Sequence, residues 1–283
     1  MFAFAPPLTL SDVAPLKRKT SYEDNLTQSQ KLLAVFEDME PRAIKPHHVA
    51  RYLDLRGKTA TRRANLEVAL LSHVFTKGMA WGVVDGNPCK GVERHAEPKR
   101  TRYITDDEFA ACQAIGGPVI ASMMDFALLT GMRQRDMLAL RLVDCTDAGI
   151  EHTQSKTGKR LRFTWSPELR EVCDRIASLK VTKQAKASAF LFARATGQQF
   201  TQDGFRTVWQ RIQVKFAEQG AERFTWHDIR AKCLTDADRQ GQNAQAIAGH
   251  ANRSMTERYI KARRVEQVEP LRRVRSELFN EKV

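Results

Sequence analysis

The stretch Ile150–Ser166, "IEHTQSKTGKRLRFTWS", carries a strand signal in a chain that otherwise repeats its apolar residues mostly at helical spacing. Leu161, Phe163 and Trp165 alternate with Arg160, Arg162 and Thr164, the period of two that turns one set of side chains to a core and the other to water. Lys156-Thr157-Gly158 supplies the reversal between two arms. The stretch predicts a β-hairpin, and its isolation predicts a mainly helical protein with one small antiparallel β-sheet.

Working outward, "VIASMMDFALLTGMRQRDMLALRLVD", Val119–Asp144, reads as an apolar helix, a break at Gly131 and a second helix bearing Met137, Leu138 and Leu140. Arg133 stands directly after the break. Thr105 and Glu108 have capping-box spacing and predict a helix start ahead of this region. Beyond the hairpin, from Gln202 onward, the pattern is again helical. There "FTWHDIRAK", Phe224–Lys232, offers Thr225 as an N-cap and puts His227 and Arg230 on one face of the first turns, the end of a helix that favours a phosphate.

The first hundred residues predict a small bundle of helices. Thr20 and Glu23 form a capping-box pair ahead of Leu26, Leu33 and Phe36; a second helix starts at Pro46 and ends on Gly57. A third, longer one places Leu66, Ala69, Leu70, His73, Val74 and Lys77 on one side, with Arg62 and Arg63 in its first turn. "CKGVERHAEPKRTRY", Cys89–Tyr103, then reads as a basic linker, which sets the expected domains at 1–97 and 98–283. Arg62, Arg63, Lys77, Lys99 and Arg100 are the expected contacts to a phosphate backbone.

Charge supports a polyanionic partner. The 283 residues carry a formal charge of +13, and the excess is in both halves: 16 Lys/Arg against 11 Asp/Glu in residues 1–100, and 30 against 22 in the rest. A basic tail on a neutral body is thereby excluded. Five cysteines without a CxxC pair point to a reduced, intracellular protein. The N-terminus is apolar first and basic afterwards, the reverse of a secretory signal, and no apolar run reads as a membrane span; the expected location is cytoplasmic, with no membrane partner. There is no Gly-rich phosphate loop, no HExxH and no zinc spacing, so no cofactor or metal is expected. Phosphoryl chemistry would then use cations of the protein itself.

"LLTGMRQRDMLALRLVD", "QSKTGKR", "HDIR", "AGH" and "TERYI" follow one another in the order found in the tyrosine recombinases, and the chain resembles the phage integrases in particular. The resemblance spans roughly Ile104–Lys261, and "YLDLRG", "TRRANLEVALLSHVF" and "NPCKGV" in the first domain also resemble the integrase core-binding domain. It implies a helical core-site DNA-binding domain followed by an α+β catalytic domain. It also implies that Arg133 and Arg230 pair on the scissile phosphate, that Lys156 protonates the departing 5′ oxygen, and that His227 and His250 hydrogen-bond the phosphate and assist proton movement. Tyr259, nine residues after His250, would otherwise read as a half-buried aromatic of an amphipathic helix. The resemblance makes it the nucleophile that leaves a 3′-phosphotyrosyl enzyme. The physics is compatible: guanidinium groups present paired donors without losing their proton, and a phenol, with an ordinary pKa near ~10, needs cations beside it to react at neutral pH. Arg253, Arg258 and Lys261 are the expected local cations.

Two departures stand out. Asp136 occupies the position three after the first arginine where the family usually has glutamate, and about twenty residues precede the first helix, too few for the arm-site domain of lambda-type integrases. The implied partners are double-stranded recombination sites, further copies of the chain in a tetramer on DNA, and DNA-bending accessory proteins, in the cytoplasm of a bacterial host. Val265, Val268, Leu271, Val274 and Leu278 form an apolar stripe expected to dock on a neighbouring protomer. Two other readings remain at this stage: a type IB topoisomerase-like DNA relaxation, and a non-enzymatic regulator in which "NAQAIAGHANRSMTERYI" is a helix-turn-helix.

Overall fold

Helical periodicity in the first hundred residues produces two long elements, α1 (Lys19–Phe36) and α2 (Pro46–Ala80), joined through a 3-10 turn at Pro41–Ala43. The computed structural model describes residues 19–98 and 101–260, and the chain divides into two compact units, 1–99 and 100–283. Lys99, Arg100, Lys261, the segment ahead of α1 and the Val265–Leu278 stripe lie outside the described residues.

Three local expectations for the first unit are corrected. Thr20 lies inside α1 rather than ahead of it; Leu33 packs against the core as expected, beside the fully buried Leu32 and Phe36. Gly57 does not end a helix: α2 runs through it and breaks instead at Ala60, where φ is −157° and ψ is 66°. One helical glycine costs only about 1 kcal/mol, which packing on both sides of it outweighs. Leu66 is 46% exposed, because the inward stripe is Ala64, Val68, Leu71 and Phe75, the face that meets Leu32 and Phe36. Across the Ala60 break the helix is tied by one buried carboxylate. Glu67 accepts from Tyr52 Oη (2.8 Å) and from Arg56 Nε and Nη2 (3.0 and 3.1 Å), a fork that matches guanidinium to carboxylate.

In the second unit, the Thr105 hydroxyl accepts from Glu108 N (3.2 Å) while the Glu108 carboxylate accepts from Thr105 N (2.9 Å), starting α3 (Asp106–Thr130). α3 is kinked at Gly117, before Pro118, and stops at Gly131, whose φ of 57° is the left-handed helix cap that glycine adopts without penalty. α4 (Gln134–Leu138) follows at once. Next come β1 (Cys145–Thr146), β2 (Gly149–Thr153) and β3 (Arg160–Phe163), an antiparallel sheet in the order β1-β2-β3. The hairpin pairs Ile150 with Phe163 and Thr153 with Arg160; β1 is too short to show a period in sequence. The helices α5 (Pro167–Ser178), α6 (Lys183–Lys186), α7 (Gln202–Glu218), α8 (Trp226–Arg239), α9 (Ala244–Ala248) and α10 (Arg253–Ile260) complete the unit. The fold is therefore mainly helical with a small antiparallel sheet.

By length and a mean hydropathy of 1.4, α3 is long and apolar enough to cross a membrane, which corrects the reading that no run reaches that mark. Its apolar surface has a use inside the unit: it packs against α5, α7 and α8 and buries Met123, Met124 and Phe126. At the start of α8, Trp226 is held edge-on between Phe205 (4.8 Å between ring centroids) and Trp209 (5.0 Å). This aromatic nest fixes the first turn of α8, the turn that carries His227 and Arg230.

Candidate active site

α8 begins with Asp228 accepting from both the backbone N (2.8 Å) and the hydroxyl (2.7 Å) of Thr225. With its first turn pinned, α8 buries Arg230 to 2% exposure and leaves His227 exposed one turn earlier. The Arg230 guanidinium donates to the Gly131 carbonyl at the end of α3 and to the Ala248 carbonyl at the end of α9 (2.7 Å). Two helix C-termini thus hold one cation, as their dipoles favour. Burial pushes its pKa below the ordinary arginine value, and the nearby charge of Arg133 pushes the same way, against a hydrogen bond to Tyr259.

Arg133 precedes α4 and lies 3.9 Å from Asp136, too far for a hydrogen bond but close enough for attraction. Arg133 Nη1, Asp136 Oδ2 and Arg230 Nε are buried and have no hydrogen-bond partner among the described residues. Two neighbouring, largely buried guanidinium groups with one distant carboxylate are under-compensated, and an oxyanion with several acceptors would satisfy their open edges.

His250 is 4% exposed. Its Nε2 faces Arg230 Nη2 at 3.3 Å and its Nδ1 faces Thr256 Oγ1 at 2.9 Å. Because arginine has no acceptor, Nε2 must be the unprotonated nitrogen, and Nδ1 donates to Thr256. Burial, with Arg230, Arg133, Lys159 and His227 adding repulsion, lowers the His250 pKa to about 4, so the ring is neutral at physiological pH. The folded chain then binds fewer protons than the unfolded chain between about pH 4 and the ordinary histidine value of 6.5. The stability this group contributes is complete above pH 6.5 and is lost as pH falls toward 4. Thermal melts across that window should show this fall, and His250→Gln should flatten it.

The Tyr259 hydroxyl lies 2.9 Å from His227 Nε2, in reach for proton transfer. The phenol ring stacks on His250 at 5.6 Å and 21°, and Thr256 sits three residues before it on α10, tying the His250 ring to the helix of the nucleophile candidate. Arg133, His227, Arg230, His250 and Tyr259 thus converge. Lys156 is exposed on the turn after β2, and the hairpin lysine whose charge is felt at His250 is Lys159. The polar groups beside the phenol are Arg230 and His227 rather than the neighbours on its own helix; Arg253 turns to Glu257 (3.4 Å) and Arg258 is exposed. Sequence reasoning missed Thr256, although its three-residue spacing from Tyr259 marks a shared helix face. It also missed the two carbonyl cradles, which leave no side-chain signal. Arg62 and Arg63 are exposed and Lys77 is half-buried; Arg62 lies 3.8 Å from Glu97. Among the described residues no group of three or more His, Cys, Asp or Glu is placed to hold a metal ion.

Residues 110–265 match the model of the phage integrase family. The integrase of Enterobacteria phage P21 is 29% identical over 153 residues, 50% of this chain and 40% of that protein. The integrase of Escherichia phage HK022 is 25% identical over 218 residues, 73% of this chain and 59% of that one. The chain thus spans about half the length of these relatives. In fold it is similar to lambda integrase: residues 75–356 as a dimer bound to a COC′ core site give a TM-score of 0.79 at 18% identity, covering 93% of this chain and 95% of that one. A lambda integrase tetramer bound to a Holliday junction gives 0.78 at 16% identity, covering 94% and 81%. With a family match over more than half its length, the chain belongs to the phage integrase family of tyrosine recombinases.

Proposed function

We propose that this protein is a site-specific DNA recombinase that cuts and rejoins double-stranded DNA through a 3′-phosphotyrosyl intermediate. The observation that carries the reading is the Tyr259 hydroxyl set 2.9 Å from His227 beside Arg230, with open guanidinium edges on Arg133 and Arg230. Those edges would bind the non-bridging oxygens of the scissile phosphate and offset the charge of the pentacoordinate state. The Tyr259 oxygen bonds to phosphorus and its proton passes to His227. The bond from phosphorus to the 5′ oxygen breaks, and Lys156 gives that oxygen its proton. Religation runs the same steps backward and needs no ATP, because the phosphotyrosyl bond keeps the energy of the phosphodiester.

Residues 1–97 would act as the core-site grip and 98–283 as the catalytic domain. Arg62 and Arg63, which line a cleft of the first unit with Lys31 and Arg56, would take the DNA backbone together with Lys77, Lys99 and Arg100. The lambda integrase dimer on a core site and tetramer on a Holliday junction support DNA as partner and tetrameric assembly on it. DNA-bending proteins would assist, in the cytoplasm of a bacterial host. The test uses plasmids carrying the short direct repeats that flank the element encoding the chain. Paired sites should yield recombinants, and a nicked site should trap a DNA-linked protein whose modified peptide contains Tyr259. Relaxation of supercoils with no exchange between paired sites would overturn the recombinase reading.

A further inference from the structure

Gln154, between β2 and the lysine turn, is 2% exposed, whereas Thr153 and Ser155 on either side are exposed. All four of its polar groups are engaged. Its backbone N donates to the Lys159 carbonyl (2.8 Å) and its carbonyl accepts from Gly158 N (2.8 Å), which closes the turn. The side-chain Nε2 donates to the Ala248 carbonyl (2.9 Å), and Oε1 accepts from the Thr157 hydroxyl (2.7 Å). That Ala248 carbonyl is the same one that receives Arg230 Nη2 at 2.7 Å. Gly249 follows, where an added Cβ would stand 2.4 Å from Gln154 Nε2, so the chain beside His250 is shaped to admit this amide. A second tie holds the turn from the other side: Ser155 N donates to Asp136 Oδ1 (3.1 Å), on the carboxylate that faces Arg133.

We infer that Gln154 is a positioning residue for the cleavage reaction: it hangs the Lys156 turn from the carbonyl oxygen that also receives the Arg230 guanidinium. The inference rests on the reading of Lys156 as proton donor to the 5′ oxygen. Lys156 is exposed on a flexible stem, so its reach is set by where the turn is anchored. Thr157, its immediate neighbour, bonds Gln154 directly, and Gln154 is in turn fixed to the oxygen that locates Arg230. When the Tyr259 oxygen bonds to phosphorus, the electron pair of the breaking bond goes to the 5′ oxygen. The Lys156 ammonium gives that oxygen its proton and becomes a neutral amine. Shifting the turn slows this proton delivery while leaving phosphate binding intact.

The experiment compares single-turnover cleavage of an ordinary site with cleavage of one whose 5′-bridging oxygen is sulfur, which departs as a thiolate without a proton. The full chain is used as wild type, Lys156→Ala, Gln154→Met and Thr157→Val. Gln154→Met should lose roughly 10- to 100-fold on ordinary DNA, the scale of a misplaced acid, and regain the wild-type rate on sulfur, with unchanged gel-shift affinity. Thr157→Val should lose less and recover in the same way. If Lys156→Ala is rescued by sulfur and Gln154→Met is equally slow on both substrates, Gln154 has a merely structural role and the inference falls. If Lys156→Ala is not rescued, the proton-donor reading fails and takes the inference with it. Should Gln154→Met not melt cooperatively, Thr157→Val on the exposed turn decides by the same comparison.

Discussion

Tyr259→Phe should form no covalent adduct with DNA while binding its site as tightly as wild type. The phenylalanine ring keeps the stacking on His250 (5.6 Å, 21°) and loses only the hydroxyl that meets His227, so the helix carrying it should stay in place. The phenylalanine ring offers no attacking oxygen, and the expected loss is complete rather than graded. Nicked suicide substrates run on denaturing gels read the outcome: a DNA-linked band that persists in the variant would remove Tyr259 from the nucleophile's role. His227→Gln, which keeps a polar side chain near the phenol but cannot carry a proton away, should retain binding and form the adduct slowly.

The second large effect is expected at Arg230. Arg230→Ala removes a charge from a site where water is largely excluded, and it frees the Gly131 and Ala248 carbonyls from the donor they share. Losing one such preorganised donor lowers rates by about 10²–10³-fold in comparable sites, and a buried guanidinium that also carries full charge belongs at the upper end. Arg230→Lys should recover little, since one ammonium cannot reach two carbonyls and a phosphate together. Sulfur at the 5′ position should rescue neither variant, because the loss lies in phosphate charge and not in the leaving group. Near-normal cleavage by Arg230→Lys would show that only the charge matters and that the carbonyl cradle does not.

These two expectations show how unevenly the site was legible. Motif order named Arg133, His227, Arg230, His250 and Tyr259, and the structure brings these five together. Lys156 was named by the same order, yet its own side chain is exposed and its turn is located by its neighbours; Gln154, which anchors that turn on the Ala248 carbonyl, is an ordinary polar residue in sequence. In the first unit the sequence pattern was right about the helices, about the start at Pro46 and about the burial of Phe36, Leu70 and Val74, and wrong at particular positions. Gly57 looked like a stop and lies inside α2, and Leu66 looked inward and faces water. The break comes a few residues later, at Ala60, and Tyr52 and Arg56 are tied across it to Glu67, a long-range contact that no local propensity announces.

What the sequence determined by itself were properties set within a few residues. The alternation across Leu161, Phe163 and Trp165 specifies a strand, Thr105 with Glu108 specifies a helix start, and Gly131 specifies its end, because each depends on contacts one to four positions away. Tertiary structure alone decided that Arg230 is held by carbonyls, one of them 99 residues distant in Gly131, and that Gln154 reaches Ala248 across 94 residues. It alone decided that His250 is neutral with its proton on Nδ1, since that follows from burial against Arg230 and from Thr256 on another helix. Backbone carbonyls carry no residue identity, and burial is a property of the packed unit, so neither can be read until the chain has closed on itself.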